Sequence, residues 1–314
     1  MARGNPLISI DEFDSLFEKV KNWNRWGPDD EIGALNYITP DKTRAAAALV
    51  KSGISVPMSI PVNTAAEPDN ANPAIHYMAR THDVDSGSVN MRIATDFLGM
   101  QFHGDCHTHI DALCHVSYKG KLYNGIPAAT VDVTGAQRLD VTGYVKGIVG
   151  RGVLIDVPRY RGVKWLEPGD AVTAEEIEAV EKAQGVKLGE GDIMVFRTGQ
   201  YRRRLEKGAW NVGYSGEGRA GLDPYSILLM HERKIAAFLP EGDGEVHPGY
   251  VEGMRSPIHA LQIAAMGMLC ADSLQLEELA AACEAESRFE FMVVIAPLRL
   301  QRGTGCPVNP IAVF

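Results

Sequence analysis

The chain has 314 residues, enough to bury one sizeable core or two modest ones without disulfides. Its 40 acidic side chains outnumber its 31 basic ones. That balance argues against nucleic acid and against a negatively charged membrane surface as partners. A soluble enzyme or a small-ligand-binding protein fits the composition better.

The cysteines form an odd, widely spaced set without a C-x-x-C pair: Cys106, Cys114, Cys270, Cys283 and Cys306. This pattern does not suggest a disulfide framework, and reduced thiols predict a cytoplasmic location. The first residues lack the basic-then-apolar run of a signal peptide. No window approaches the roughly 18 uninterrupted apolar residues of a membrane span, so we expect no transmembrane segment.

The first third of the chain predicts two helices and one strand. Apolar residues at three- and four-residue spacing predict a helix over 9–23, and Pro40 in a first turn predicts a short helix over 39–49. Residues 54–62 predict a strand. Residues 63–90 are rich in Asn, Asp, Pro and Ala and predict a long loop of the kind used for lids or binding. Its possible substrate contacts are His76, Tyr77, His82 and Asp83.

The rest of the chain alternates between predicted strands and helices. Residues 152–157 and 192–197 predict strands, and a capping box at 173–176 opens a helix between them that ends at Gly185, which makes a strand–helix–strand unit. The run of arginines at 202–204 predicts a solvated helix face. Further helices are predicted over 224–234, from 256 and over 274–285, and further strands over 235–239, 266–270 and 289–296. Without a low-complexity linker or an internal repeat, we predict one domain of mixed strands and helices.

The stretch 102–115 carries an unusual concentration of ligand-type side chains. Its alternate positions include His103, Asp105, His107, His109, Asp111 and His115. Alternate residues of a strand point to the same face, and Ile110 and Ala112 have the opposite parity. Twelve steps of about 3.3 Å would span about 40 Å, too far for one site. We therefore expect a strand that holds His107 or His109 with Asp111, followed by a turn that brings His115 back.

Histidine and aspartate together suit Zn²⁺ or Mn²⁺, whereas a Mg²⁺ or Ca²⁺ site would use oxygen ligands. A divalent ion with an open position lowers the pKa of bound water toward about 7 and polarises a carbonyl. That chemistry suits hydrolysis of an amide, lactam, imide or ester, with a neighbouring histidine carrying the proton. Cys106 and Cys114 have the opposite parity and no G-x-S-x-G is present, so thiol and serine hydrolase chemistry are not favoured.

Residues 105–115 read D-C-H-T-H-I-D-A-L-C-H. They resemble the H-x-G-T-H-x-D-x-x-x-H signature of the metal-dependent cyclase family, which includes bacterial kynurenine formamidase and isatin hydrolase. The matching positions are Thr108, His109, Asp111 and His115. Asp105 stands where the family has its first His, and His107 replaces the Gly. The identity of one metal ligand is therefore open, since His103 or His107 could serve instead of Asp105.

The resemblance extends over most of the chain. His259 followed by Asp272 resembles the family's later His-then-Glu pair, and segments 26–36 and 303–310 resemble longer members of unassigned substrate. The resemblance implies an α/β fold with a mixed sheet and flanking helices, described as a swivelling β/β/α domain. We assign residues 1–314 to this one domain, with 1–62 as an N-terminal extension packed on it, and expect a homodimer or homotetramer.

The implied activity is metal-dependent hydrolysis of a carbon–nitrogen bond in a formamide or cyclic amide, with one or two ions of Mn²⁺ or Zn²⁺. By the resemblance, Asp105, His109 and Asp111 hold the ion, and His115 is a further ligand or the general base. His259, a catalytic candidate, and Asp272, a candidate ligand, complete a second metal position or orient the water. The alternatives are a lactonase or a polyketide-type cyclase or dehydratase on the same site, and a non-catalytic small-ligand-binding protein.

Overall fold

The computed structural model describes residues 7–84, 87, 90–213 and 216–314. The α-helices are α1 (Ile10–Val20), α2 (Pro40–Ala47), α3 (Val157–Arg161), α4 (Ala174–Gln184), α5 (Gln200–Lys207), α6 (Ile227–Glu232), α7 (Pro257–His259) and α8 (Glu277–Ala285). A π-helix, Ala260–Ala265, continues α7. Short 3₁₀ turns lie at Gly33–Tyr37, Tyr123–Gly125, Ala128–Thr130, Val141–Tyr144 and Pro224–Ser226.

The strands are β1 (Ser55–Pro57), β2 (Ile75–Arg80), β3 (Thr95–Gly99), β4 (His109–Asp111), β5 (Val131–Asp132), β6 (Gly135–Ala136), β7 (Ile148–Asp156), β8 (Ala171–Val172), β9 (Ile193–Arg197), β10 (Gly221–Leu222), β11 (Ala237–Pro240), β12 (Leu269–Asp272), β13 (Glu290–Ile295), β14 (Gly305–Pro307) and β15 (Ile311–Val313). Within the described residues, nine of them form one mixed sheet in the order β1-β15-β13-β7-β9-β11-β12-β4-β14. Its central strands β7, β9, β11 and β12 are parallel, and the outer pairs on both sides are antiparallel.

Both faces of the central strands are buried, which explains why their sequences read as continuous apolar runs. In β9, Met194 and Phe196 pack into the core under α1, α4 and α6. Ile193 and Val195 alternate with them and pack into a second core that contains residues of α8. The strands therefore separate two hydrophobic layers, as expected of helices flanking a sheet.

The predicted strand–helix–strand unit is confirmed as β7, α4 and β9, with β7 and β9 parallel. The Thr173 side chain accepts from the Glu176 backbone N–H, and Gly185 ends α4 in the left-handed region at φ 68°. The Glu176 carboxylate pairs with Arg161 instead of closing the capping box. One half of the predicted box is thus present.

Three local predictions were wrong. The strand over 54–62 is reduced to β1, because Pro57 and Pro61 limit backbone pairing. The loop over 63–90 contains β2, which pairs with β3 in a hairpin whose strands are almost entirely exposed; residues 85, 86, 88 and 89 lie outside the described part. The arginines of α5 are not simply solvated, because Arg204 forms ion pairs with Glu67 and Asp69.

The predicted α/β fold with a mixed sheet and flanking helices is confirmed. The N-terminal segment lies against the rest: α1 contacts the π-helix and α6, and β1 pairs with β15. Among the described residues, the helices are all too short or too polar to cross a bilayer.

Candidate metal centre

Strand β4 is the structural base of the centre. It lies between β12 and β14 in antiparallel register, so that His109 faces Asp272 and Asp111 faces Cys270 on one side. On the other side Asp111 faces Gly305. Ile110 points into the apolar core, as its parity predicts. All three residues of β4 are buried.

The chain turns after β4 and brings His115 back to the centre, which confirms the predicted turn. The Nε2 atom of His115 lies 3.9 Å from Asp111 Oδ2. Its ring stacks on that of His103, with centroids 3.9 Å apart and planes 3° from parallel. Burial lowers the pKa of His115 to about 4, against the attraction of Asp111. His115 is therefore neutral at neutral pH and is half-buried.

Asp111 is the central side chain. Only 1% of it is exposed, and neither carboxylate oxygen accepts a hydrogen bond within the described residues. His103 Nδ1 and His109 Nε2 lie 3.0 and 3.4 Å from Oδ1, but not in hydrogen-bond geometry. Burial alone would raise the pKa of this carboxyl, and the surrounding imidazoles hold it well below its usual range. A buried carboxylate without donors is costly unless a cation compensates it.

Two of the histidines are fixed by their second ring nitrogen. His109 Nδ1 lies 2.8 Å from the His107 carbonyl oxygen, which directs Nε2 toward Asp111. His103 Nε2 lies 3.0 Å from the Thr304 hydroxyl, which directs Nδ1 toward the same carboxylate. Metal-binding histidines are commonly oriented in this way by a partner on the other nitrogen. Burial opposes the charged form of His109, but Asp111 and Asp272 raise its pKa to about 9.

His259 is held between two carboxylates. Its Nδ1 lies 3.0 Å from Glu245 Oε1 and its Nε2 lies 2.9 Å from Asp272 Oδ2. Glu245 also accepts from the backbone N–H groups of Ile258 and His259, which fixes the start of α7. Despite burial, the two carboxylates raise the pKa of His259 well above its usual range. The π-helix that follows is a distortion often found at functional sites.

Two groups of ligand-type atoms result within the described parts of the chain, and they share Asp111. In each group all ligand atoms lie within 4.8 Å of one another: His103, His109 and Asp111 in one, and Asp111, His259, Cys270 and Asp272 in the other. Nitrogen, oxygen and sulfur ligands suit a transition-metal ion. The donor set and the unpartnered Asp111 carboxylate therefore fit a divalent cation.

Asp105 lies outside both groups. Its carboxylate accepts from Arg219 at 2.7 Å, and that guanidinium is 3% exposed and also contacts Asp243 at 3.0 Å. The buried guanidinium of Arg219 thus already neutralises Asp105, the residue at the position of the first histidine in the family signature. The predicted role of Asp105 as a ligand stays a prediction, and the structure places His103 beside Asp111 instead.

Comparison with protein families gives a match over residues 43–242 to the Cyclase family model, described as "Putative cyclase". This match covers nearly two thirds of the chain. The chain belongs to the Cyclase family. Residues 105–115 resemble the signature of this family, so the family match agrees with that resemblance.

Solved structures share the fold. The crystal structure of a novel cyclase aligns with a TM-score of 0.82 at 29% identity, covering 94% of this chain and 100% of that one. Isatin hydrolase A from Ralstonia solanacearum aligns with a TM-score of 0.59 at 19% identity, covering 88% and 98%. A predicted metal-dependent hydrolase from Bacillus stearothermophilus aligns with a TM-score of 0.50 at 14% identity, covering 83% and 98%. A search of curated proteins gave no match.

The sequence alone did not single out Glu245, Cys270 or Gly305. Glu245 lies in a polar, glycine-rich loop, and only its distance to His259 reveals its role. Cys270 has the same parity as Asp272 on one strand, and this signal was available in the sequence. A Cβ at Gly305 would lie 2.3 Å from the Ile110 carbonyl oxygen and 3.0 Å from His103 Cε1, so glycine leaves room for His103 over the strand.

A cavity of about 390 Å³ opens beside the centre. Its lining is mainly polar and includes Asn72, Gln101, His103, His107, Asn211 and Arg255. His103 belongs to both the cavity and the first ligand group, so a molecule in the cavity lies next to the centre. The volume is that of a site for a small molecule.

Proposed function

We propose that this member of the Cyclase family is a metal-dependent hydrolase that cleaves a carbon–nitrogen bond in a cyclic amide or a formamide. The observation that carries the proposal is the buried Asp111 carboxylate, which has no hydrogen-bond donor in the described part of the chain and is surrounded by imidazoles. A metal ion would take the place of the imidazole protons that now compensate this carboxylate, and the adjoining cavity supplies space for a substrate.

We propose His103, His109 and Asp111 as the ligands of a catalytic Mn²⁺ or Zn²⁺ ion. Such an ion, when bound, lowers the pKa of water and polarises a carbonyl oxygen. Thr304 and the His107 carbonyl orient the two imidazoles before the ion binds. His103 takes the position in this set that the family resemblance implies for Asp105, because Asp105 is already paired with Arg219.

His115 is the proposed general base. Its ring is neutral, half-buried and fixed by stacking on His103, so Nε2 can accept the proton of an attacking water molecule. Attack of that water on the carbonyl carbon forms the new carbon–oxygen bond. The same Nε2–H then protonates the nitrogen as the carbon–nitrogen bond breaks. His259, buried between Glu245 and Asp272, holds the centre in place and does not take part in this proton transfer.

The choice of a carbon–nitrogen bond rests on two supports. The isatin hydrolases share the fold, and isatin contains a five-membered lactam ring. The polar cavity lining also offers amide side chains that can hydrogen-bond both the carbonyl and the N–H of a lactam. A lactone lacks that N–H, so paired lactam and lactone substrates discriminate between the proposal and a lactonase.

The test combines metal analysis with turnover. Protein purified without chelator is analysed by elemental mass spectrometry as wild type, as His109→Ala and as the control His231→Ala, which changes a histidine of α6 outside both ligand groups. Each protein is then assayed against matched lactams, imides, formamides and lactones. The wild type and the control should contain Mn or Zn and hydrolyse at least one carbon–nitrogen substrate, and His109→Ala should do neither.

A folded His109→Ala protein with wild-type turnover would disprove the proposal. Hydrolysis of lactones alone would replace the substrate class, and tight binding of a small molecule by metal-free protein without turnover would favour the ligand-binding alternative. The expected homodimer or homotetramer stays a prediction, which light scattering of the full chain tests.

A further inference from the structure

Two aspartates line the cavity beside the centre, and their carboxylates are paired differently. The Asp69 side chain is 5% exposed, and both of its oxygens accept from Arg204, at 2.6 and 3.3 Å. The Asp105 side chain is 28% exposed, and its Oδ1 accepts from Arg219 at 2.7 Å. Within the described residues, Oδ2 of Asp105 accepts no hydrogen bond. One carboxylate oxygen of the cavity lining is therefore available to a donor.

Arg219 fixes the position of the Asp105 carboxylate. Its guanidinium is buried, with Nη1 donating to Asp105 and Nη2 lying 3.0 Å from Asp243 Oδ2. Its backbone exchanges two hydrogen bonds with that of His247, at 2.9 and 3.0 Å. A guanidinium pairs with a charged carboxylate, so Asp105 acts as an acceptor and not as a donor. Because two carboxylates share this one guanidinium, Asp105 can still bind a donor from the cavity.

Asp105 lies beside the proposed ion site without being part of it. His103, two residues earlier, lines the same cavity and belongs to the first ligand group, whereas Asp105 belongs to neither group. A small molecule in the cavity can therefore contact Asp105 while it lies next to the centre. The family signature has a histidine at this position, so the carboxylate acceptor is a feature in which this chain differs from the signature.

We propose that Asp105 determines substrate specificity by accepting, at Oδ2, a hydrogen bond from an N–H group of the substrate. The substrates are then amides, lactams and imides with an unsubstituted N–H, and not lactones or N-alkylated amides. A hydrogen bond to a carboxylate is stronger than one between neutral groups, and a site built for a donor rejects an analogue that lacks it. The inference rests on the proposed hydrolase for the reaction, but binding tests it without turnover.

The first experiment measures binding to the metal-loaded full chain by isothermal titration calorimetry. The probes are 2-oxindole and phthalimide, which carry an N–H, and their N-methyl counterparts. The proteins are wild type, Asp105→Asn and the matched control Asp243→Asn, which changes the other carboxylate on Arg219 and is not part of the cavity lining. N-methylation should raise the Kd of wild type and control by at least about tenfold, and that of Asp105→Asn by less than about threefold.

Asparagine is the informative substitution at Asp105 because it keeps the shape of the side chain. Its carbonyl oxygen can stay on Arg219, which turns its NH₂ group toward the cavity. The N–H of a probe then faces a donor instead of an acceptor. If the methyl group only clashed with the cavity wall, N-methylation would weaken binding equally in wild type and Asp105→Asn, and the inference would be wrong.

Metal analysis separates substrate recognition from metal binding. Asp105→Asn should contain as much Mn or Zn as the wild type, and a loss of metal would make Asp105 a ligand and overturn the inference. With a lactam or imide that the wild type hydrolyses, N-methylation should lower kcat/KM by at least about tenfold, mainly through a higher KM. Asp105→Asn should abolish this difference between the two substrates.

If neither N–H probe binds wild type more tightly than its N-methyl counterpart, the inference is overturned whatever the variants do. If Asp105→Asn does not fold, Asp105→Ser replaces it, because serine is too short to keep both contacts. Asp105-dependent selection of N–H probes without any hydrolysis would contradict the proposed function and leave this inference standing. Hydrolysis with equal kcat/KM for the N–H and N-methyl members of a pair would do the reverse.

Discussion

Two of the groups of buried charges in this protein, one around Arg197 and one around Asp111, are built differently. Around Arg197, the guanidinium donates to Asp156 at 2.8 Å and to both oxygens of Glu277 at 2.7 and 2.9 Å. Beside it, Glu241 Oε2 accepts from the backbone N–H groups at the start of α5. In the candidate metal centre, by contrast, several histidine imidazoles lie close to the Asp111 carboxylate. Neither carboxylate oxygen accepts a hydrogen bond in the described part of the chain.

This difference distinguishes charged side chains that stabilise the fold by pairing with each other from charged side chains that are available to bind a ligand. The Arg197 group supplies its own counter-ion and therefore needs no ligand. Among the described residues, the Asp111 group leaves its central carboxylate without hydrogen bonds and gathers nitrogen, oxygen and sulfur atoms around it. Perturbed pKa values occur in both groups, so burial and pKa alone would not have distinguished them.

Asp111→Asn should have the largest effect, because it removes the carboxylate shared by both ligand groups while keeping its shape. We expect metal binding to be lost and kcat/KM to fall by at least about a thousandfold, since a metal supplies several kcal/mol of transition-state stabilisation. Metal analysis and turnover measure this. Asp156→Asn is the matched control in the Arg197 group, and a loss of metal there would contradict the division between the two groups.

Arg197→Met should destabilise the fold without affecting metal affinity. Its removal leaves the buried Asp156 carboxylate without its guanidinium partner, which typically costs about 3 to 5 kcal/mol. Urea denaturation measures the free energy of unfolding. Arg202→Met, on an exposed part of α5, should change it by less than about 1 kcal/mol. Unchanged stability in Arg197→Met would mean that this ion-pair group is not structural.

Glu241→Gln should remove a pH dependence of stability. Burial raises the pKa of Glu241 to about 7 in the folded protein, against the attraction of Arg197 and the backbone donors. The folded state therefore holds a proton that the unfolded state has lost, so this contribution to stability is complete below pH 4.5 and disappears as the pH rises to about 7. The change is about 3 kcal/mol.

The measurement is the free energy of unfolding of wild type and Glu241→Gln at several pH values between 4 and about 8. The difference between the two proteins should change across this window and become constant above it. Glu178→Gln, at an exposed ion pair with Arg233, provides the control and should follow the wild type. A constant difference between wild type and Glu241→Gln would show that Glu241 remains ionised throughout.

His115→Gln should have the smallest effect of the four and should separate proton transfer from metal binding. We expect kcat to fall about a hundredfold with bound metal unchanged, because general base catalysis contributes about that much or more. Steady-state kinetics and metal analysis measure it. Loss of metal from His115→Gln would instead make His115 a ligand, the alternative that the sequence left open.

Short-range patterns predicted much of this structure. The period-two spacing of His109, Ile110 and Asp111 predicted which side chain packs in the core, and the return of His115 followed from the length of the segment. Apolar runs and caps predicted β7, α4 and β9. The cysteines have no disulfide partner, as their spacing predicts.

Contacts between distant segments were not predictable in this way. The neutralisation of Asp105 depends on Arg219, and the orientation of His259 depends on Glu245 in a loop without periodicity. The β2–β3 hairpin was missed because its strands are exposed on both faces and so lack an alternating apolar pattern. A sequence read one segment at a time contains no signal for these pairings.

The position of β14 has a consequence for biosynthesis. β4 pairs with β14, which follows roughly 200 residues later in the chain, and Thr304 beside it orients His103. Pairings of such high sequence separation form late, because the intervening chain must first be organised. During translation the centre cannot close until residues 303–307 have left the ribosome. Under the proposed function, a chain stalled before β14 would lack Thr304 to orient His103, and we expect it to retain the ion less well than the finished chain.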